Sequence, residues 1–185
     1  MDKTPPVKMT DEYLVSKLRL VPDYPVKGIV FFDVTNLFKD PECLEEIVSR
    51  TAALYRDRGI TKVAGIESRG FVVAAAVASR LGAGFVPIRK PGKLPFETVS
   101  ERYEKEYGTD TLEMHCDAIG PDDVVLVHDD ILATGGSSAA AIALVRRFSP
   151  RAVYANFIIE IVDCPKVATL PEDVEVTSLL RLGER

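Results

Sequence analysis

The chain has 185 residues, 46% of them hydrophobic, which suits one well-buried core, so a single domain over 1–185 is expected. A formal net charge of −5 argues against nucleic acid as a partner, because such proteins carry a basic face to neutralise phosphates. No apolar run approaches the roughly 20 residues that cross a bilayer, Met1 to Pro6 lacks the order of a secretory signal, and Cys43, Cys116 and Cys164 are too scattered for a disulfide framework, so a cytoplasmic protein with no membrane partner is expected.

Asp11 to Val21 places apolar residues at helical spacing, and Pro22, Pro25 and Gly28 then break the pattern into a loop. After the apolar stretch Gly28 to Phe32, Asp40 and Pro41 supply an N-cap and a first-turn proline. Leu44, Ile47, Val48 and Leu54 then recur on one face up to Gly59, which predicts a surface helix. Lys62 to Ile66 reads as a strand, Gly70 to Leu81 as a small-residue helix, and Phe85 to Ile88 as a second strand. Residues 89–110 mix prolines and glycines with a charged, tyrosine-rich stretch and predict a mobile lid, after which Thr111 to Asp117 reads as extended. Beyond the turn Gly120 to Asp123 come a buried strand, Val124 to Val127, and an alanine-rich helix from about Ser137 to Phe148. An apolar strand, Ala152 to Ile161, and a final strand, Val174 to Leu180, complete the order. Strands alternating with helices predict an α/β fold, a central mostly parallel β-sheet flanked by helices.

The chemistry concentrates where the strand Val124 to Val127 gives way to His128, Asp129 and Asp130 and then to Ala133-Thr134-Gly135-Gly136-Ser137. Ligands of open parallel sheets bind beyond the carboxyl ends of strands, so these acids should project into that crevice. Two glycines allow a tight turn whose successive N–H groups point inward, and the Thr134 and Ser137 hydroxyls add donors. Such a nest at a helix N-terminus suits a phosphate monoester. Carboxylates beside it would repel the phosphate, so Asp129 and Asp130 should accept from sugar hydroxyls. The bland alternative is a solvated acidic turn followed by a helix cap. No Lys follows the glycines, so this is not a Walker loop, and Gly82-Ala83-Gly84 does not continue as a dinucleotide fingerprint.

The strand, acid pair and Ala-Thr-Gly-Gly-Ser turn resemble the phosphoribosyl pyrophosphate (PRPP) motif of type I phosphoribosyltransferases. Four further segments narrow the resemblance to the adenine phosphoribosyltransferases: Pro22 to Pro25 with Gly28 to Phe31, Glu67 to Phe71, Ile88 to Pro95, and Glu106 to Gly108. They occur in the family's order and span nearly the whole chain. The resemblance implies transfer of the 5-phosphoribosyl group from PRPP to adenine with Mg²⁺, giving AMP and pyrophosphate, in a homodimer. It also implies a base-binding arm at about 10–36 and a small hood subdomain at about 91–113. The same reaction on another purine base, or a PRPP-sensing regulator of this fold, would share the motif.

By the same resemblance Asp129, Asp130, Ala133, Thr134, Gly135, Gly136 and Ser137 hold PRPP or AMP, and Glu67, Ser68, Arg69, Arg89, Lys90 and Lys93 face pyrophosphate. Composition alone makes Arg89, Lys90 and Lys93 equally a solvated basic loop and Ser68 a helix cap. The family often has a non-proline cis peptide here, and Glu67–Ser68 is the candidate bond. Val30, Phe31, Ile131 and Leu132 are the implied adenine contacts, although adjacent Phe31 and Phe32 would serve core packing as well. Glu106 matches the catalytic glutamate, with Tyr107 beside it and Arg69 in the catalytic set; composition reads this stretch as a solvated charged segment. Two positions depart from the family pattern: Phe32, charged in several relatives, and His128, commonly apolar and read as structural. No metal ligand set is assigned, Mg²⁺ being held mainly by PRPP and water.

Overall fold

A computed structural model describes residues 9–24, 26–105 and 108–183. The chain forms two compact units, one up to Glu46 and one from Ile47 onward. In the first, α1 (Asp11–Lys17) is capped by the Thr10 hydroxyl, which accepts from the Tyr13 N–H, and carries Asp11 and Glu12 in its first turn. This helix is shorter than its apolar spacing predicts. Leu18 has ψ 140°, and Arg19–Pro22 forms β1, paired antiparallel with β2 (Val30–Asp33). Val21 precedes a proline, which disfavours the α region, and pairing with β2 satisfies the backbone that leaves the helix.

Alternation along β2 separates the two phenylalanines. Phe32 is buried at 5% exposure, whereas Phe31 is half-buried and meets Tyr24 edge to face with ring centroids 5.2 Å apart. A short α2 (Thr35–Phe38) leads to α3 (Pro41–Tyr55), which starts as its cap predicts: the Asp40 carboxylate accepts from the Glu42 and Cys43 N–H groups.

In chain order the second unit continues with β3 (Lys62–Ile66), α4 (Gly70–Leu81), β4 (Gly84–Ile88), β5 (Thr98–Glu104), β6 (Thr109–His115), β7 (Val124–Leu132), α5 (Gly136–Arg146), β8 (Ala152–Ile161) and β9 (Glu175–Leu182). Five strands form one sheet in the order β4-β3-β7-β8-β9, every neighbouring pair parallel. Both faces are covered, which is why Val124 to Val127 can be apolar without alternation. Ala140, Ala141, Ile142, Leu144 and Val145 of α5 pack into the core with Val125, Val127, Ala155 and Phe157. The alternate residues of the sheet meet the end of α3, where Tyr55 donates to the Ala155 carbonyl at 3.2 Å and Thr51 to Asn156 Oδ1 at 3.4 Å. From β3 the chain builds outward to β4, and from β7 it builds the other way to β8 and β9. The order therefore reverses between β3 and β7, and a binding crevice belongs at the carboxyl ends of those two strands.

The segment expected to be a lid is more ordered than its composition suggests. From Thr98 it is an antiparallel hairpin, β5 against β6, in register from Thr98↔His115 to Glu104↔Thr109. Val99, Glu101 and Tyr103 are half-buried while Ser100, Arg102 and Glu104 are exposed, a period of two that the charges disguise. Leu112 and Met114 anchor the hairpin in the main core.

Candidate active site

The acid pair lies within β7 rather than after it. The strand continues to Leu132, five residues beyond the expected end at Val127, because β8 keeps pairing with it as far as Leu132↔Glu160. Asp130 is 4% exposed and its carboxylate is ion-paired with Arg69 Nε, so the start of α4 is tied to β7 across the switch. Asp129 is partly accessible, and its Oδ1 accepts from the Asp130 N–H at 2.9 Å. Burial, and then the charge of Asp130, pushes the Asp129 carboxyl well above the ordinary carboxylate range, against a smaller opposing effect of Arg69.

His128, immediately before the pair, is fully buried and belongs to the sheet's polar interior. Its Nδ1 lies 3.0 Å from Asn156 Oδ1, an acceptor, so the proton sits on Nδ1. Burial lowers its pKa to about 4 and keeps the ring neutral. Asn156 in turn donates to Thr177 Oγ1 at 2.8 Å, which completes a structural chain of side-chain hydrogen bonds.

Past β7 the backbone turns at Gly135, with φ 85°, and enters α5. Any Cβ there would run into the Ala168 carbonyl, so conformation and space both require glycine. The backbone N–H groups of Thr134 to Ser138 have no acceptor among the described residues, the condition of an anion site at a helix start. Behind the turn its carbonyls are held: Lys166 Nζ donates to the Ala133 carbonyl at 2.7 Å, and the Val167 and Ala168 N–H groups donate to the Thr134 carbonyl at 2.9 and 3.1 Å. In front, the hood descends on Gly136, whose missing Cβ would lie 2.5 Å from the Glu104 carbonyl oxygen and 3.3 Å from the Tyr103 ring. Burial, with Asp110 and Asp129 nearby, pushes the Tyr103 phenol up to about 12.

Across the crevice, Glu67 and Ser68 follow β3, and the peptide bond between them is cis, as the resemblance implies. The Glu67 carboxylate accepts from the Lys90 N–H at 2.9 Å and from Arg89 Nε and Nη2 at 3.2 Å each. The Lys90 amide, and then Arg89, hold its pKa below the ordinary value. Glu67 therefore holds Arg89 and the Lys90 amide in place. Arg89 is also stitched to the hood by an isolated bridge to Glu113 and reaches the Lys93 carbonyl at 3.0 Å. Lys90 and Lys105 both bond Asp110 Oδ2, at 2.5 and 2.9 Å, and in that order hold the Asp110 carboxyl far below its usual value. Ser68 and Lys93 are exposed.

The structure thus gathers Asp129, Asp130 and Ala133 to Ser137 with Arg69, through the Arg69–Asp130 pair, and gathers Glu67 with Arg89 and Lys90. Half-buried Ile131 and buried Leu132 end β7. Val30 and Phe31 lie on β2 of the first unit. Glu106 and Tyr107 fall outside the described residues. Sequence reasoning missed Tyr103, Asp110, Glu113 and Lys166; only Tyr103 left a trace, in the alternation of β5. No group of three or more His, Cys, Asp and Glu side chains that could hold a metal occurs among the described residues. Asp129 and Asp130 are nevertheless hard oxygen donors, and they fit an Mg²⁺ that keeps most of its ligands from substrate and water.

Residues 33–166 match the family model for the phosphoribosyl transferase domain. An adenine phosphoribosyltransferase of Bacteroides thetaiotaomicron is 55% identical over 174 residues, spanning 94% of this chain and 99% of the relative. Among solved structures, adenine phosphoribosyltransferase from Rhodothermus marinus superposes with a TM-score of 0.86 at 47% identity, covering 92% of this chain and 97% of that one. APRTase from Giardia lamblia, complexed with 9-deazaadenine, gives 0.87 at 37% identity over 94% of this chain and 98% of the other.

Proposed function

The chain belongs to the adenine phosphoribosyltransferases, and from that membership we propose how its residues carry the reaction, transfer of the 5-phosphoribosyl group from PRPP to adenine with release of pyrophosphate. The observation that carries the reading is the end of β7: an acid pair beside a helix start whose N–H groups await an acceptor. The N–H groups of Thr134 to Ser137, with the Thr134 and Ser137 hydroxyls, receive the 5′-phosphate, and Ala133 and Gly136 belong to the same turn. Asp129 and Asp130 accept from the ribose hydroxyls, and Arg69 holds Asp130 in place through their ion pair.

Pyrophosphate leaves C1 of the ribose as positive charge builds on the ring, and adenine N9 attacks from the opposite face. Ser68 and Arg69 on one side, and Arg89, Lys90 and Lys93 on the other, bind the departing anion, with Glu67 holding Arg89 and the Lys90 amide in place. Mg²⁺ bound with PRPP would neutralise part of that charge, with Asp129 and Asp130 as the nearby oxygen donors. Glu106 shares a proton with purine N7, and Tyr107 stands beside it. Val30, Phe31, Ile131 and Leu132 serve the base, Phe31 by stacking and Val30 by its backbone; Phe32, turned into the core, takes no part. Hood closure excludes water, which would otherwise hydrolyse the activated ribosyl centre. No helix among the described residues is long and apolar enough to cross a membrane. The proposed setting is the cytoplasm and the proposed assembly a homodimer.

A mass-spectrometric assay for AMP from adenine, PRPP and Mg²⁺ tests the reading, with hypoxanthine and guanine as competing bases. The expected result is AMP as the dominant product and no turnover in an Asp129→Ala, Asp130→Ala double variant. Equal product from all bases, or full activity in the double variant, would overturn it.

A further inference from the structure

The 5′-phosphate turn contains no Lys or Arg: from Ile131 to Val145 the chain is uncharged. Among the described residues, the one ammonium hydrogen-bonded to the turn comes from elsewhere, from the segment that follows β8. Lys166 Nζ lies 2.7 Å from the Ala133 carbonyl oxygen and 3.4 Å from that of Ile161, so it joins the turn to the end of β8. The next two residues use their own N–H groups on the Thr134 carbonyl, and Ala168 also occupies the space beside Gly135 that a side chain would need. Three consecutive residues therefore clasp the turn from behind.

The consequence follows from the planarity of the peptide. The Ala133 carbonyl and the Thr134 N–H belong to one trans peptide unit and point in opposite directions, and so do the Thr134 carbonyl and the Gly135 N–H. Fixing each carbonyl on one side aims each N–H at the other, where no acceptor occurs among the described residues. A cation on the carbonyl also draws electron density through the amide and strengthens its N–H as a donor, the cooperative polarisation of linked hydrogen bonds.

We propose that Lys166 is a positioning residue for the 5′-phosphate: acting through the Ala133–Thr134 peptide, its ammonium orients and strengthens the Thr134 N–H and supplies the positive charge that the turn lacks. This rests on the reading of the turn as the phosphate site. The ligand class it serves is a phosphate monoester.

The test is calorimetric titration of the full-length protein with ribose 5-phosphate, which carries the monoester without pyrophosphate or base. Wild type, Lys166→Met and Lys166→Arg are compared, alongside KM for PRPP, KM for adenine and kcat. Losing one charge-assisted bond should weaken ribose 5-phosphate roughly tenfold in Lys166→Met and raise KM for PRPP by about as much. Meanwhile kcat and KM for adenine should stay within about twofold, and Lys166→Arg should recover most of the affinity. Should Lys166→Met not fold, Lys166→Gln, a neutral donor, is read in its place with the same expectation. Unaltered ribose 5-phosphate affinity in the neutral variant, or an equal loss in Lys166→Arg, would overturn the role. Wild type that makes no AMP would instead strike the function reading, so the two failures are told apart.

Discussion

The turn after β7 and the basic loop after β4, the two places proposed for phosphate groups, stand in opposite conditions. In the turn the donors are backbone N–H groups from Thr134 to Ser138, without acceptors among the described residues and aimed by bonds on their carbonyls. In the loop the donors are long cationic side chains already engaged: Arg89 lies on Glu67, and Lys90 shares Asp110 with Lys105 of the hood. The difference teaches how one crevice treats two anions. On the proposed reading the ribose phosphate meets a turn whose donors are fixed by bonds on its carbonyls. On the same reading pyrophosphate, released after each turnover, meets cations that protein carboxylates already hold.

The largest effect should come from breaking the rigid half. Gly135→Ala places a side chain at φ 85° and against the Ala168 carbonyl, so kcat/KM for PRPP should fall roughly 100-fold while KM for adenine changes little. A loss below threefold in steady-state assays would show that the turn is not preorganised. Next is Asp129→Asn, which should weaken PRPP binding yet stabilise the free protein. The sign follows from the direction of the shift: the fold raises this carboxyl's pKa, so the fold favours the neutral acid. Stability is therefore fully present below the unfolded value near 3.8 and is lost as pH rises through the folded one. The variant's thermal midpoint should exceed that of wild type at pH 8, with the gain vanishing near pH 3. A gain independent of pH would contradict that account. The smallest effect is reserved for the exchangeable half: Asp110→Asn frees Lys90 and Lys105, and inorganic pyrophosphate should inhibit about threefold more tightly, as suits partly exposed ion pairs. Weaker inhibition would make Asp110 a support for the lysines and not their competitor.

The parts of this molecule legible from residue order are those governed by local rules. Apolar runs and small-residue helices disclosed the parallel sheet, the Asp40 cap marked the start of α3, and the acids followed by two glycines marked the end of β7 and the turn into α5. What stayed hidden depends on partners distant in sequence. β1 looks helical until β2 pairs with it. The hood strands are strands because Val99, Tyr103, Leu112 and Met114 find the core, although the charges between them read as solvent-facing. Lys166 is one lysine among many until the chain returns from β8 and lays it on Ala133. The carboxylates of Glu67 and Asp110 show the same limit, since their work is done on residues of another loop.

The close seat of the hood on Gly136 carries one more consequence. The Glu104 carbonyl stands where a methyl group would begin, so the height of the roof above the helix start is set by the absence of a side chain. Alanine, serine and valine at this position would act as wedges of graded thickness, and the rate of ribosyl loss to water across that series would measure how tightly the chamber seals.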